Sequence, residues 1–222
     1  MGREGVSARL KTMEVNGCEL SVFGTLIGLV SEGDAVADLM ERLRPDIVFL
    51  GIPPEAVPGL KAVINGSVKE VGASNLEVTY ARHLSRYGEV SIPPPSYVRA
   101  FLAASAIGIR VLPIDIREAE YTEMYVSKIG MIDIVAHSAR SRRLSRKKFK
   151  SRTAPDFVLE WDSAVTRGGY KDIERARERH MALSIMNFLD RLRPNRALAV
   201  VEYQRWSGVC RHLENIHEVQ GN

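Results

Sequence analysis

With 222 residues, 45% of them hydrophobic, the chain is long enough to bury a sizeable core. No apolar run approaches the roughly 18 residues of a membrane span, and the opening MGREGVSARL lacks the apolar stretch of a secretory signal, so a cytoplasmic protein with no membrane partner is expected. The net charge of +4 is local: Arg140 to Arg152 holds eight Lys or Arg residues and no acid, and the remainder has 23 basic against 27 acidic residues, which argues against a basic footprint over the whole surface.

In chain order, GCELSVFGTLIG (Gly17 to Gly28) reads as a strand ending in a glycine-bearing loop. SEGDAVADLMERLRP follows as a helix, with Ser31 or Asp34 as its cap and Pro45 as its stop. DIVFLGIPPE (Asp46 to Glu55) is a short, continuously apolar strand of the kind buried on both faces of a parallel sheet. Helices are expected near Glu55 to Asn65 and Ser74 to Tyr87, then in IPPPSYVRAFLAASAIG, closed by Gly108. IRVLPID (Ile109 to Asp115) returns as a strand. Residues 118–192 show no convincing strand and read as a mostly helical insertion. RALAVVEY (Arg196 to Tyr203) is the final strand, followed by a helix from about Ser207 to Glu218. The pattern predicts one α/β domain over residues 1–222, with a mostly parallel sheet flanked by helices and a helical insertion before the last strand. MERLRPDIVFLGI and LDRLRPNRALAVVEY both run from a helix through Arg-Leu-Arg-Pro into an apolar strand, an echo that suggests two similar units feeding one sheet.

In open parallel sheets ligands sit beyond the carboxyl ends of the strands. Here those positions are Gly24 to Gly28, Gly51 to Glu55, Asp115, and Glu202 to Arg205. Gly24-Thr25-Leu26-Ile27-Gly28 lacks the Lys-Ser or Lys-Thr of a phosphate loop and the third glycine of a dinucleotide fingerprint, so no nucleotide cofactor is expected. There is no G-x-S-x-G, no H-E-x-x-H and no paired-cysteine motif. Cys18 and Cys210 read as free thiols, and His83, His137, His180, His212 and His217 do not form a ligand set. Asp133 and His137, four residues apart on a helix, read as an ordinary ion pair, and Trp161, between Glu160 and Asp162, as a packing anchor.

Three segments carry a family resemblance: FGTLIGLVSEGDAVADLMERLRPDIVFLGIPPE, ARERHMALSI (Ala176 to Ile185) and ALAVVEYQRWSGVCRHL (Ala197 to Leu213). In order and spacing they resemble the signature regions of the TraB/PrgY-like (pheromone shutdown) family, which is related to the ChaN and erythromycin-esterase-like group. The resemblance implies an α/β fold whose hydrolytic site uses a Gly-x-x-His after the first strand, a Glu ending the second, an Arg in the long helix and a second Gly-x-x-His after the last strand. In this chain Ile27 stands at the first histidine position, Gly51 at the glutamate and Arg205 at the second histidine, while Arg177 keeps the arginine. Isoleucine and glycine offer no donor to a metal and arginine repels one, so no metal site is expected. The membrane region that follows this domain in full-length pheromone shutdown proteins has no counterpart here, and a membrane role is not carried over.

Two functions from different classes follow. One is a metal-free or catalytically inactive relative of the hydrolases, with a cleft for an anionic small molecule or a peptide built from Gly24, Thr25, Gly28, Glu32, Gly51, Glu55, Arg177, Glu178, Glu202 and Arg205. In it the arginines supply charge, and Glu202, Glu55 or Glu32 are the acid/base candidates. The other is binding of nucleic acid or an acidic partner through Arg140, Arg142, Arg143, Arg146, Lys147, Lys148, Lys150 and Arg152, whose charge Leu144 and Phe149 interrupt. Homo-oligomer formation stays open.

Overall fold

In the computed structural model, residues 3–67 and 72–220 are described. A short helix α1 (Arg3–Ser7) leads into a hairpin of β1 (Leu10–Val15) and β2 (Cys18–Thr25), paired antiparallel from Leu10↔Phe23 to Val15↔Cys18. Asn16 and Gly17 form its turn with φ of 51° and 76°, the positive values that a tight hairpin matching strand twist requires. The strand read from Gly17 onward is therefore the second arm of a hairpin, and β1 is an addition to the sequence reading.

The remaining strands are β3 (Ile47–Leu50), β4 (Arg110–Pro113) and β5 (Arg196–Glu202). They complete a five-stranded sheet of order β1-β2-β5-β3-β4, in which every pairing except β1 with β2 is parallel. The expected α/β architecture is present. All four residues of β3 are buried, as a strand covered on both faces must be.

Alternation along the central strands feeds two cores. Leu20, Val22, Ile47, Phe49, Ala197, Ala199 and Val201 face one way, against Met181, Ile185 and Leu189 of α9 (Gly169–Leu192) and Val209 and Leu213 of α10 (Tyr203–Gln220). Phe23, Val48, Leu50, Leu198 and Val200 face the other way. There they meet Val36, Leu39 and Met40 of α2 (Ser31–Leu43), Leu60 of α3 (Ala56–Ile64) and Tyr97, Ala100 and Ala104 of α5 (Pro95–Ala106). Neither Ser31 nor Asp34 caps α2: Ser31 is already helical, the cap position is Val30, and no side chain bonds the free amides there.

A third apolar cluster joins Leu26, Leu29 and Leu84 to Phe149, Phe157, Val158 and Trp161. It packs α4 (Asn75–Leu84) and α8 (Ala154–Val165) over the loop that follows β2. The insertion before β5 is entirely helical in its regular elements: α6 (Glu118–Lys128), α7 (Met131–Leu144), α8 and α9.

The Arg-Leu-Arg-Pro echo is structural. Arg44 and Arg193 each take a left-handed conformation, φ 45° in both, and each donates its amide to the carbonyl four residues back, Met40 and Leu189. The chain then enters β3 and β5, adjacent parallel strands with Ile47 opposite Ala197. Asp46 ties the two turns together by accepting from the amides of Asn195 and Arg196, both at 2.9 Å.

Candidate functional site

Parallel strands end at one edge of the sheet, and the register sets which ends meet there. Thr25 lies opposite Glu202, and Leu50 lies between Val200 and Pro113. Beyond β4 the pairing persists as loop, with the Ile114 amide on the Leu50 carbonyl at 3.0 Å and the Asp115 amide on the Ile52 carbonyl at 3.1 Å. Asp115 and Glu202 are thereby held at the same edge, and α9 carries Arg177 to both.

Arg177 has almost no free donor. Its Nε bonds both Asp115 oxygens at 3.1 and 3.3 Å, Nη2 reaches Asp115 Oδ2 at 2.5 Å, Nη1 reaches Glu174 Oε2 at 2.8 Å, and Glu202 Oε1 stands 4.0 Å from Nη2. Burial alone would lower its pKa, but the surrounding Glu202, Glu174 and Asp115 outweigh this and hold the guanidinium firmly charged. Arg205, in the first turn of α10, bonds Asp162 of α8 and Glu178 of α9, the latter at 3.3 Å, and its Nε faces Glu174 Oε2 at 3.3 Å without a hydrogen bond. Gly208, one turn further along α10, leaves the room that the Glu178 carboxylate occupies; any side chain there would collide with it.

Asp115, Asp162, Glu174, Glu178 and Glu202 thus share two arginines. With every group ionised the cluster carries three more negative than positive charges, and the carboxyls respond. Burial raises the pKa of Glu202, opposed by Arg177, and burial raises that of Glu178, opposed by Arg205. Among the described residues Glu202 accepts only from Gln204 Nε2, at 2.9 Å, and Glu202 and Asp162 are the two carboxylates of the cluster that stay about a quarter exposed. Glu178 also lines an open groove of about 1080 Å³ between α6, α9 and α10, whose walls include Glu120, Glu123, Arg179, Arg211 and His212.

Of the ten cleft residues read from the sequence, Arg177, Glu178, Glu202 and Arg205 come together in this cluster. Gly51 ends β3 within the sheet, its amide on the Val200 carbonyl at 2.9 Å and its carbonyl accepting from the Tyr97 hydroxyl at 3.3 Å; a methyl group there would press on the Val201 backbone at 3.3 Å. Glu55 is exposed at the start of α3, where it accepts from the Glu118 amide at 3.4 Å.

Glu32 and Thr25 belong to a separate buried set. Arg9 spans Glu32 with Nη1 and Nη2 at 2.7 and 2.8 Å, and the same Nη1 donates to the Gly24 carbonyl at 2.6 Å. Glu32 also accepts from the Leu26 amide at 2.9 Å and the Thr25 hydroxyl at 3.1 Å. Gly24 admits α10: a methyl group there would lie 2.9 Å from Trp206 and Tyr203 ring atoms. Gly28 turns the chain at φ 102°.

Arg9, Asp162 and Glu174 escaped sequence reasoning. The spacing Glu174-x-x-Arg177-Glu178 puts three charges on one helix face and was the available signal for Glu174. Nothing local marks Arg9 or Asp162, whose partners are 23 and 43 residues away.

In the basic segment, Leu144 and Phe149 are buried anchors of the third apolar cluster, while Arg142, Arg143, Arg146, Lys148, Lys150 and Arg152 are exposed. Arg140 is half-buried, and Lys147 pairs with Glu160 at 3.2 Å and lies over the Phe149 ring at 4.4 Å. Asp133 and His137 do not pair with each other. Asp133 accepts from the Gly130 amide at the start of α7, and His137 stacks on Tyr170 at 4.5 Å, its pKa lowered by burial and then by Arg140. Trp161 is a buried anchor, as expected. Cys18 and Cys210 are free and buried, and burial pushes their thiols up to about 11 and about 12, out of the nucleophilic range at neutral pH. The side chain of His217 lies outside the described residues.

No family model matches the chain, and no curated protein matches it. Among the described residues no three His, Cys, Asp or Glu side chains are grouped so as to hold a metal ion, and no described helix is long and apolar enough to cross a membrane. The donor chemistry explains the first point: two guanidiniums already stand between the carboxylates of the strand-end cluster, where a metal would have to displace them. These residues do not fit the metal that the TraB-like resemblance would bring.

Proposed function

We propose that this chain is a TraB-like protein in which the hydrolytic centre has become a metal-free, catalytically silent cleft that binds peptides by an amino terminus or a basic side chain. What carries the reading is the surplus of carboxylates: five share Arg177 and Arg205, with Glu202 partly open and Glu178 continuing into a groove of about 1080 Å³. The groove is open and runs between α6, α9 and α10, which leaves room for an extended peptide segment. Its mixed walls, with Glu120 and Glu123 near Arg179 and Arg211, suit a ligand that carries both charges.

The sequence alone suggested that Arg177 and Arg205 would attract an anion. Both guanidiniums are now seen to be committed to carboxylates, so an incoming anion would have to displace them and face the remaining acids. An incoming ammonium or guanidinium completes the charge balance instead. The silence of the centre rests on Ile27, Gly51 and Arg205 at the three positions where the family places its histidines and glutamate.

Calorimetric titration with lysyl-lysine and with arginine amide should show binding, and Glu202→Gln should weaken it about tenfold, the cost of one charge-assisted hydrogen bond. Succinate or phosphate binding in their place would overturn the ligand chemistry. Steady hydrolysis of an activated ester that Arg177→Ala abolishes would overturn the silence.

A further inference from the structure

The corner between α6 and α7 exposes aliphatic side chains that the described residues leave uncovered. Val126 is 76% exposed, Met131 80%, Ile132 85% and Val135 68%. Four aliphatic side chains this exposed within ten residues of one helix corner, rather than scattered singly, point to an interaction site.

On α7 the same helix face then changes character. Ile132, Val135, Ala139, Arg142 and Arg143 succeed one another at helical spacing, and Arg146, Lys148, Lys150 and Arg152 follow beyond the helix end, all exposed. Between Met131 and Arg152 the only carboxylate is Asp133, which is occupied at the start of α7. The helix therefore presents an aliphatic tip at its start and exposed cations toward its end, and in the basic run beyond it Glu160 of α8 neutralises Lys147 alone.

The tip is held in place. Gly168 and Gly169, at the start of α9, lie against Asp133 and the Lys128 carbonyl with no room for a side chain, and Tyr170 stacks on His137 while its hydroxyl meets that of Tyr125 at 3.2 Å. Leu144 and Phe149 fasten the basic run to α8.

We propose that this corner docks on an anionic lipid surface, with Val126, Met131, Ile132 and Val135 entering the acyl boundary and the Arg and Lys side chains contacting headgroups. Weak apolar insertion and weak basic attraction each hold a protein only marginally, and together they anchor it. Nucleic acid would engage the cations alone. No aromatic residue is among the exposed large hydrophobic side chains described, so bases would find no stacking platform, and the aliphatic tip would stay uncovered. The length of apolar runs in a sequence reports spanning helices; docking of this kind needs only a few exposed side chains and leaves no such run.

Sedimentation of the full chain with phosphatidylcholine vesicles, with and without phosphatidylserine, tests this. Binding should require phosphatidylserine and fall as salt rises. The I132E/V135E variant should lose at least about tenfold of it at low salt, and Arg142→Glu or Arg143→Glu about fivefold or more each. Unchanged melting temperatures check that these exposed substitutions spare the fold. The proposal is overturned if the wild type stays in the supernatant, if I132E/V135E binds like the wild type, if a DNA or RNA duplex competes the protein off the vesicles while its own binding is indifferent to I132E/V135E, or if these substitutions instead dissociate a dimer of the chain.

Discussion

Two buried arginine–carboxylate assemblies sit at the carboxyl edge of the sheet, and they are built on different stoichiometries. In the first, Arg9 meets one carboxylate, Glu32. Each polar atom is used: Arg9 Nε on the Gly5 carbonyl, its amino groups on Glu32 and Gly24, and Glu32 on Thr25 and Leu26. Both side chains are 2% exposed. In the second, two arginines serve five carboxylates, Arg205 Nε has no hydrogen bond, and Glu202 remains a quarter open. A closed one-to-one pair ties α2 and the β1–β2 hairpin to the loop after β2 and can accept nothing more. An acid-rich, partly open cluster is held together yet left with more negative than positive charge.

Removing one half of the closed pair should have the largest effect. Glu32→Ala leaves Arg9 buried with no counter-charge and should cost about 3–5 kcal/mol in urea unfolding; a loss under about 1 kcal/mol would mean that water reaches Arg9. Arg177→Ala should cost less, about 2–3 kcal/mol, because Glu202 can take up a proton and Glu174 keeps Arg205 as a neighbour.

Glu202→Gln, by contrast, should be nearly neutral or slightly stabilising, within about 1 kcal/mol. Its folded pKa is raised, so the folded state favours the protonated form. The stability this contributes is complete below the unfolded carboxyl value of about 4.3 and is lost as pH rises through the folded value. The variant should therefore match the wild type in acid and gain on it above that window, measured as the pH dependence of the unfolding free energy. A variant that is less stable at neutral pH than the wild type would show Glu202 to be a required partner of Arg177. The smallest effect belongs to Asp34→Asn, which breaks an exposed pair with Arg99 at 3.9 Å and should change stability by less than about 0.5 kcal/mol.

Much of the frame was legible because it rests on local signals. Apolar runs marked β2, β3, β4 and β5, and Pro and Gly punctuation marked the helices between them. The Arg-Leu-Arg-Pro echo pointed to two units that do enter neighbouring strands with the same left-handed turn. The hairpin was missed although Asn16-Gly17 announces one, because β1 is only partly buried, with Lys11, Thr12 and Glu14 among its residues.

At the site, strand-end logic pointed to Asp115, Glu202 and Arg205, and the family resemblance added Arg177. Glu32, in the helix after β2, was read into the same cleft, but Arg9 claims it. A residue's position after a strand says which edge it reaches. Which partner takes it depends on side chains that are distant in sequence, such as Asp162 for Arg205, and no local pattern encodes that. The interruptions of the basic run had a similar origin: Leu144 and Phe149 are hydrophobic because α8 needs them, so what reads as a broken charge cluster is a fastened one.

β5 governs how the chain acquires its shape. It is the last strand in sequence yet lies between β2 and β3, so neither can complete its pairing until residues 196–202 arrive. During synthesis the hairpin of β1 and β2 and the crossover from β3 to β4 can form early, but they remain two separate leaves with the apolar flanks of Val22, Phe23, Val48 and Phe49 exposed between them. Closure then joins partners about 150 residues apart, as Ile47 with Ala197. Such late, non-local pairing is slow and leaves sticky strand edges open to other chains in the meantime.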